Sequence, residues 1–347
     1  MRQQKEIAVG TVRIAAKGSQ AFMKTKRGWR KCANFSSIKK VVKLYKTHKN
    51  FKFLLDPNSK WLKGQLLDGR VQGARVKFLP NGEEVDKAFS LFAKNLRFHD
   101  QLSHDHWDVL FQNAGGTWAY CYSMQKKNLH VRKKFRKVHE FEKVHGKLMR
   151  NVANGLRNKN DHLAVPIFTM LKTYMRVGNE VYFNAHGHKG LTTLKKGDIS
   201  IKGSKVSFNY LAKDGVPRLI SEKFPKVYIN RLRGMLKGKS NSDFVFTSCS
   251  TGRPLPEQCF KRAFLKYSGK EFYPHIIRSH YATSTVSKFI KGRRRISKVE
   301  ADGLFYHIAQ HLGHRKFLKG KWKDNFAVTV NHYIQPELVA KVKRMIR

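Results

Sequence analysis

Acidic residues are scarce. Against 71 Lys and Arg the 347-residue chain sets only 23 Asp and Glu, a formal charge of +48. A surface this basic repels itself unless a polyanion screens it, so nucleic acid is the expected partner and anionic membrane the rival. Long apolar runs are also missing. None approaches the ~20 residues of a membrane-spanning helix, and no secretory leader opens the chain, so no membrane partner is expected. Cysteine is sparse: Cys32, Cys121, Cys249 and Cys259 form neither a CxxC pair nor a framework of spacings. They read as free thiols in a reducing compartment. No phosphate-binding loop of the ATPase kind occurs, so nothing suggests ATP use. No linker rich in Pro or Ser divides the chain, and no internal repeat is present.

What is there is enough to build a core. Apolar residues make up 41% of the sequence, and the length favours about two domains. Residues 1–50 carry 14 Lys or Arg and one acid, Glu6. With Ile7, Val9, Val12 and Ile14 at strand spacing and Ile38, Val41, Val42 and Tyr45 at helical spacing, they read as a folded or DNA-ordered basic extension. Residues 51–125 read as a small α+β module, with strand signals up to Pro80-Asn81-Gly82, a helix over 83–98 and a hairpin turning at Ala114-Gly115-Gly116. Trp118, Tyr120 and Tyr122 alternate onto one face of that hairpin, which by spacing alone is a core-facing stripe. From about residue 126 the pattern turns helical. Phe135, Val138, Phe141, Val144 and Leu148 form one stripe, and the other face is almost entirely basic, with Lys133, Lys134 and Arg136 among its phosphate-facing candidates. The remainder reads as a helical catalytic domain, 126–347, with a β insert turning at Gly203-Ser204 and Asp214-Gly215. Helices follow near 224–237, 255–268, 274–290 and 297–312, then a basic loop and a final helix.

The chain is organised around Thr173–Leu194. An amphipathic helix, with Leu163, Ile167, Leu171 and Tyr174 behind a capping Asp161, is expected to carry Arg176 at its end, where Gly178 stops it. Arg-Val-Gly-Asn-Glu-x-Tyr, a short gap and Gly-Leu-Thr-Thr-Leu resemble the signature of the small type IB DNA topoisomerases of bacteria and large DNA viruses, which share a superfamily with the tyrosine recombinases. The resemblance runs over about residues 110–340. It implies a catalytic series of Arg176, then Lys213 in a Lys-Asp turn as general acid, Arg278, His314 in a Gly-His element, and Tyr333 as nucleophile. It also makes Tyr120 and Tyr122 residues that touch DNA, although Trp118 stands where the family usually has Arg.

Those residue types suit the chemistry. Transesterification of a phosphodiester needs a nucleophile that can hold the phosphate, cations for the charge on the nonbridging oxygens, and an acid for the leaving 5′ oxygen. A guanidinium grips two phosphoryl oxygens at once, and an imidazole can donate to a third. Two features depart from the family. His275 stands where the topoisomerases commonly have Lys, and His-x-x-Arg is the recombinase wording. His314 and Tyr333 are 19 positions apart, about twice the usual separation, with Tyr306 and Tyr281 as the fallback nucleophiles. His307, His311 and His314 recur on one helix face, but neither they nor His99, His104 and His106, near Asp100 and Asp105, are matched by a ligand set that calls for zinc. The expectation is therefore an α+β protein, a β-rich module plus a mainly helical catalytic domain, closing as a clamp around duplex DNA. It would act as a monomer that relaxes supercoils without cofactor or metal, on DNA in bacterial cytoplasm and nucleoid or in a viral factory or virion. A tyrosine recombinase or hairpin telomere resolvase is the alternative enzyme, and a basic architectural protein the non-enzymatic one.

Overall fold

The computed structural model describes residues 7–32, 35–57, 59–99, 106–113 and 115–346. Two compact units divide the chain, Met1–Lys133 and Lys134–Arg347, with the boundary inside one long helix.

The first unit is β-rich. Strands β1 (Val12–Ile14), β2 (Ala21–Thr25), β3 (Gly28–Lys31), β4 (Gln65–Leu67) and β5 (Arg70–Gln72) make one antiparallel sheet in the order β3-β2-β1-β4-β5. Helix α1 (Ser36–Thr47) buries Ile38, Val41, Val42 and Tyr45, the stripe expected from their spacing. The basic N-terminal segment therefore shares a sheet and a core with the rest of this unit, since Ile14, Ile38 and Tyr45 pack in one cluster with Leu62, Phe89 and Val109.

The helix expected over 83–98 is not formed. Strands β6 (Val76–Phe78), β7 (Glu84–Phe89) and β8 (Lys94–Phe98) occupy this stretch. Val85 bridges Ser123, and the Asp86 N–H donates to the Tyr122 carbonyl, so pairing with a distant segment overrides the local pattern. The expected hairpin is present as β9 (Val109–Gln112) and β10 (Trp118–Cys121), with Tyr120 opposite Leu110; its Ala114 lies outside the described residues. The core-facing reading of its aromatics fails at two positions. Trp118 and Tyr120 are 44% and 42% exposed, Tyr122 is half-buried against His130, and the strand buries Cys121 instead.

The second unit is mainly helical. Helix α2 (Met124–Gly155) buries Val138, Phe141 and Leu148, and α3 (Ala164–Thr173) is buried almost throughout. Leu163, not Asp161, takes the N-cap position of α3; the Asp161 carboxylate accepts from the Leu163 N–H and from Lys266 Nζ, the latter at 2.8 Å. Past the short α4 (Glu180–His186), β11 (Ile199–Lys202), β12 (Lys205–Leu211) and β13 (Pro217–Lys223) form the antiparallel insert. Helices α5 (Lys226–Leu236), α6 (Glu257–Ser268) and α7 (Ile276–Ile290) follow, and then α8 (Lys298–Leu312). A reciprocal capping box of Ser297 and Glu300 starts α8, and Gly313, in the left-handed region at φ 69°, ends it. Where a basic loop was expected, β14 (Arg315–Leu318) and β15 (Lys321–Asp324) pair as a hairpin, before α9 (Ala327–His332) and α10 (Pro336–Met345). A core built on α3, the insert, α5 and α6 lies beside a second cluster that joins α7, α8 and α10 and includes Tyr333. The fold is α+β, a β-rich N-terminal part followed by a helical part with a β insert.

Candidate active site

The Arg176 segment leaves its helix earlier than the pattern predicts. Tyr174 takes the left-handed conformation, φ 55°, so α3 stops at Thr173 and residues 174–179 run without regular structure. Pairing with the Gly-Leu-Thr-Thr-Leu string holds that segment: the Leu191 N–H donates to the Arg176 carbonyl at 2.8 Å. Two glycines make the contact possible. A Cβ on Gly190 would lie 2.5 Å from the Gly178 nitrogen and 2.7 Å from the Val177 carbonyl oxygen, and Gly178 itself has φ 97°. Thr193 Oγ1 accepts from the Gly190 N–H at 2.9 Å, which closes the loop. The two halves of the signature are thus one backbone joint that aims Arg176.

Its target is Tyr333. Arg176 Nη2 donates to Tyr333 Oη at 2.9 Å. Tyr333 follows α9 directly and is 4% exposed, with its N–H donating to the Thr329 carbonyl at 2.9 Å. Its ring is enclosed by the Arg278 guanidinium at 5.3 Å, the His314 ring at 4.6 Å and the His275 ring at 5.1 Å. Lys134 adds a fourth side: its Nζ lies 5.4 Å from the ring centroid and donates to the His332 carbonyl. Burial lowers the Lys134 pKa to about 8.

Arg278 is clamped at the start of α7. Nη1 donates to the Tyr174 carbonyl at 2.6 Å, Nη2 to the Leu312 carbonyl at 2.7 Å, and Nη2 also meets His314 Nε2 at 3.1 Å, while Nε finds no protein acceptor. Burial, opposed by the Tyr333 phenol, lowers its pKa to about 10, and it stays charged at neutral pH. Because guanidinium has no acceptor, His314 Nε2 must accept, and the imidazole proton sits on Nδ1, which donates to Thr329 Oγ1 at 2.7 Å. Burial first, then Arg278, Arg176 and Arg218, hold the His314 pKa near 3. The donor expected from the sequence is therefore an acceptor in the free protein. His275 is held near 3 as well, by packing and then by Arg278, Arg176, Lys134 and Lys213, although its outer edge is open to solvent.

Lys213 lies at the tip of the β12–β13 turn, where Asp214 has φ 63°. Its side chain is exposed and lines the same cavity of about 240 Å³ as Arg176, Arg278 and His314. Four of the five residues picked from sequence thus line one cavity, and Tyr333 joins them through the Arg176 bond and its ring contacts with Arg278 and His314, whereas the fallback tyrosines pack elsewhere. Tyr281 stacks on Tyr174 at 4.1 Å, and Tyr306 packs edge-on against Phe326.

Several contributors were not singled out from sequence. Lys189 reaches this cavity but is paired with both Asp198 oxygens, at 2.7 and 2.8 Å. Arg218 donates to the Gln310 and His311 carbonyls at the end of α8 and packs where a Cβ on Gly313 would lie. Thr329 orients His314. Only the Gly-His wording hinted at these contacts, since they join segments about 90 residues apart or rest on a lone threonine. Tyr120 and Tyr122, with Lys133, belong to the first unit, while Lys134 and Arg136 lie on α2 in the second; Arg136 is exposed.

The His307 and His311 rings lie 4.5 Å apart on α8, tilted at 50°, but His314 turns to Arg278 and Thr329. Among the described residues no three His, Cys, Asp or Glu side chains converge as a metal site; Asp100, His104 and Asp105 lie outside those residues. Chemically, the cluster is an excess of fixed cations around a phenol, suited to a tetrahedral oxyanion.

Comparison with known proteins adds the family. No curated protein matches the chain. Two solved structures of XerH site-specific recombinase are similar to it at a TM-score of 0.32. A post-cleavage complex bound to palindromic difH substrate is 13% identical, covering 48% of this chain and 44% of that one, and a pre-cleavage complex bound to difH substrate is 14% identical over 48% and 45%. This chain spans less than half the length of those recombinase chains. A family model described as the eukaryotic DNA topoisomerase I catalytic core matches residues 123–325. That span contains Arg176, Lys213, Arg278 and His314 and ends before Tyr333, whose place is given by its contacts. With well over half of its sequence inside that match, the chain belongs to the family of the eukaryotic DNA topoisomerase I catalytic core.

Proposed function

We propose that this protein relaxes supercoiled duplex DNA as a type IB topoisomerase, acting as a monomer. Tyr333 Oη gives up its proton to solvent and attacks a backbone phosphorus, forming a 3′-phosphotyrosyl bond as the P–O5′ bond breaks. The 5′ oxygen takes a proton from Lys213 and leaves as a hydroxyl. The cut strand swivels about its intact partner, and the 5′ hydroxyl then attacks the phosphotyrosine to restore the backbone. The phosphodiester energy stays in the covalent link, so the cycle needs no ATP. Arginines and histidine carry the transition-state charge, so it needs no metal.

One observation carries this reading: the 2.9 Å bond from Arg176 to the Tyr333 phenol, inside a pocket whose other walls are Arg278 and His314. The Arg176 guanidinium already grips the oxygen that would attack, and the Arg278 Nε, without a partner among the described residues, suits a nonbridging oxygen. Phosphate also supplies the negative charge that lets His314 take a second proton and donate from Nε2.

The test is supercoiled plasmid in EDTA without ATP. Relaxation of both positive and negative supercoils is expected, because torque of either sign drives swivelling. Strict dependence on Mg²⁺ or ATP, or relaxation of negative supercoils only, would count against it. The recombinase reading draws on His275, which packs on the Tyr333 ring. It requires paired sites and a multimer, and would be favoured by strand exchange without relaxation of plain plasmid.

A further inference from the structure

The hairpin between the histidine and the tyrosine is the least explained part of the catalytic unit. Among the described residues, strands β14 and β15 pair only with each other, through a two-residue turn in which Lys319 and Gly320 both have positive φ, 49° and 76°. An isolated two-stranded hairpin is marginal in water. This one is anchored at its root. Arg315 pairs with Asp324 at 3.1 Å, Gln310 Nε2 donates to Asp324 at 2.9 Å, and the Asn325 N–H donates to the His314 carbonyl at 3.0 Å.

Beyond the root the composition works against the free hairpin. One face puts Lys316 directly opposite Lys323, and beside them Leu318 opposite Lys321. Like charges facing each other across strands repel. The other face carries the Phe317–Trp322 ring pair, centroids 5.2 Å apart, with Phe317 56% exposed. Leu318 is 41% exposed at the tip, and Lys316, Lys319, Lys321 and Lys323 are all exposed. Such a hairpin gains order when an array of anions bridges its lysines, and the spaced phosphates of a duplex are such an array.

We infer that β14–β15 is a DNA-contacting arm. The Lys316–Lys323 face, with Lys321, lies on backbone phosphates, and Leu318, at the tip of the same face, packs on the sugar edge beside them. Since the arm begins at the residue after His314 and leads into α9 and Tyr333, duplex seated on it is anchored next to both. This rests on the proposed DNA substrate.

The experiment uses the full chain with Tyr333→Phe, so that binding is read without cleavage. Lysine acylation is followed by mass spectrometry with and without a linear duplex, and affinity is measured over a range of salt. Lys316, Lys321 and Lys323 are expected to label several-fold more slowly with duplex bound. Replacing all three by Ala should make the log–log salt dependence shallower by about 2–3, at ~0.9 per phosphate contact. Unchanged labelling of the three lysines while the duplex is bound would overturn the inference and leave the functional reading standing. So would an unchanged salt slope in the triple variant. Absence of any duplex binding by the parent chain would overturn both.

Discussion

Tyr333 is the residue on which the proposed chemistry turns, and its surroundings separate the roles of its neighbours. Tyr333→Phe removes only the nucleophilic oxygen, so the covalent adduct and relaxation should vanish while duplex affinity stays within about two-fold; gel shift and adduct trapping read the two. Persistence of the adduct would move the nucleophile to Tyr306 or Tyr281. Lys213 has no ion pair with an acid among the described residues and lines the cavity, so Lys213→Ala should slow cleavage about 10²–10⁴-fold, the range for a lost general acid. A substrate with sulfur at the bridging 5′ position separates proton transfer from simple loss of charge, because a thiolate leaves without a proton. That substrate should restore most of the rate to Lys213→Ala and none to Arg278→Ala. Equal defects on oxygen and sulfur would remove Lys213 from the acid role.

The histidines give a pH signature of their own. His314 is held near 3 and His145, mainly by burial, near 4, against about 6.5 in an unfolded chain. Between these values the unfolded chain binds protons that the folded one does not, so stability is full above pH 6.5 and falls as pH drops toward 3–4. Urea midpoints should decline over that window, and His314→Gln, which can still accept from Arg278, should decline less. A midpoint flat from pH 6.5 to 4.5 would contradict the buried neutral imidazoles.

At the scale of elements, the contact between Gly178 and Gly190, 12 positions apart, explains why two separate strings act as one motif. Gly190→Ala forces a methyl into the Val177–Gly178 backbone and should cost about 1–3 kcal/mol, as overpacking does, and displace Arg176 from Tyr333. Thermal unfolding and the rate of adduct formation measure the two effects; a stable variant cleaving at the parental rate would contradict the joint. That contact was legible in the sequence only as a pattern, because spacing does not say that two glycines touch. The helical stripes of α1 and α2, the turns of the β insert and the order Arg, Lys, Arg, His, Tyr were legible, since each follows from local period or a family motif. The strands at 84–98 and the hairpin at 315–324 were not. The first is fixed by pairing with residues 122 and 123, and the second has a pattern of alternating lysines and apolar residues that also describes a basic loop. The acceptor state of His314 was hidden for a different reason: it depends on which groups burial brings to Arg278.

At the scale of the molecule, +48 needs a partner. Six or more phosphate contacts predict a log–log salt slope of about −5 or steeper for duplex binding, measured by fluorescence anisotropy; a slope near −1 or −2 would mean that most of this charge never meets DNA. Residues 1–50 bear on the same question, but three of the five strands in the first sheet and α1 come from them, so removing them dismantles that unit and does not simply subtract charge.

The central claim is that Tyr333 cuts DNA by metal-free transesterification and keeps the 3′ end. Denaturing trapping of the protein on a nicked duplex, in EDTA and without ATP, with peptide mapping of the adduct, tests it most directly. A phosphotyrosine at Tyr333 joined to the 3′ phosphate is expected, with a free 5′ hydroxyl on the other fragment. An adduct on another residue, a 5′ linkage, or no adduct until Mg²⁺ is added would contradict it.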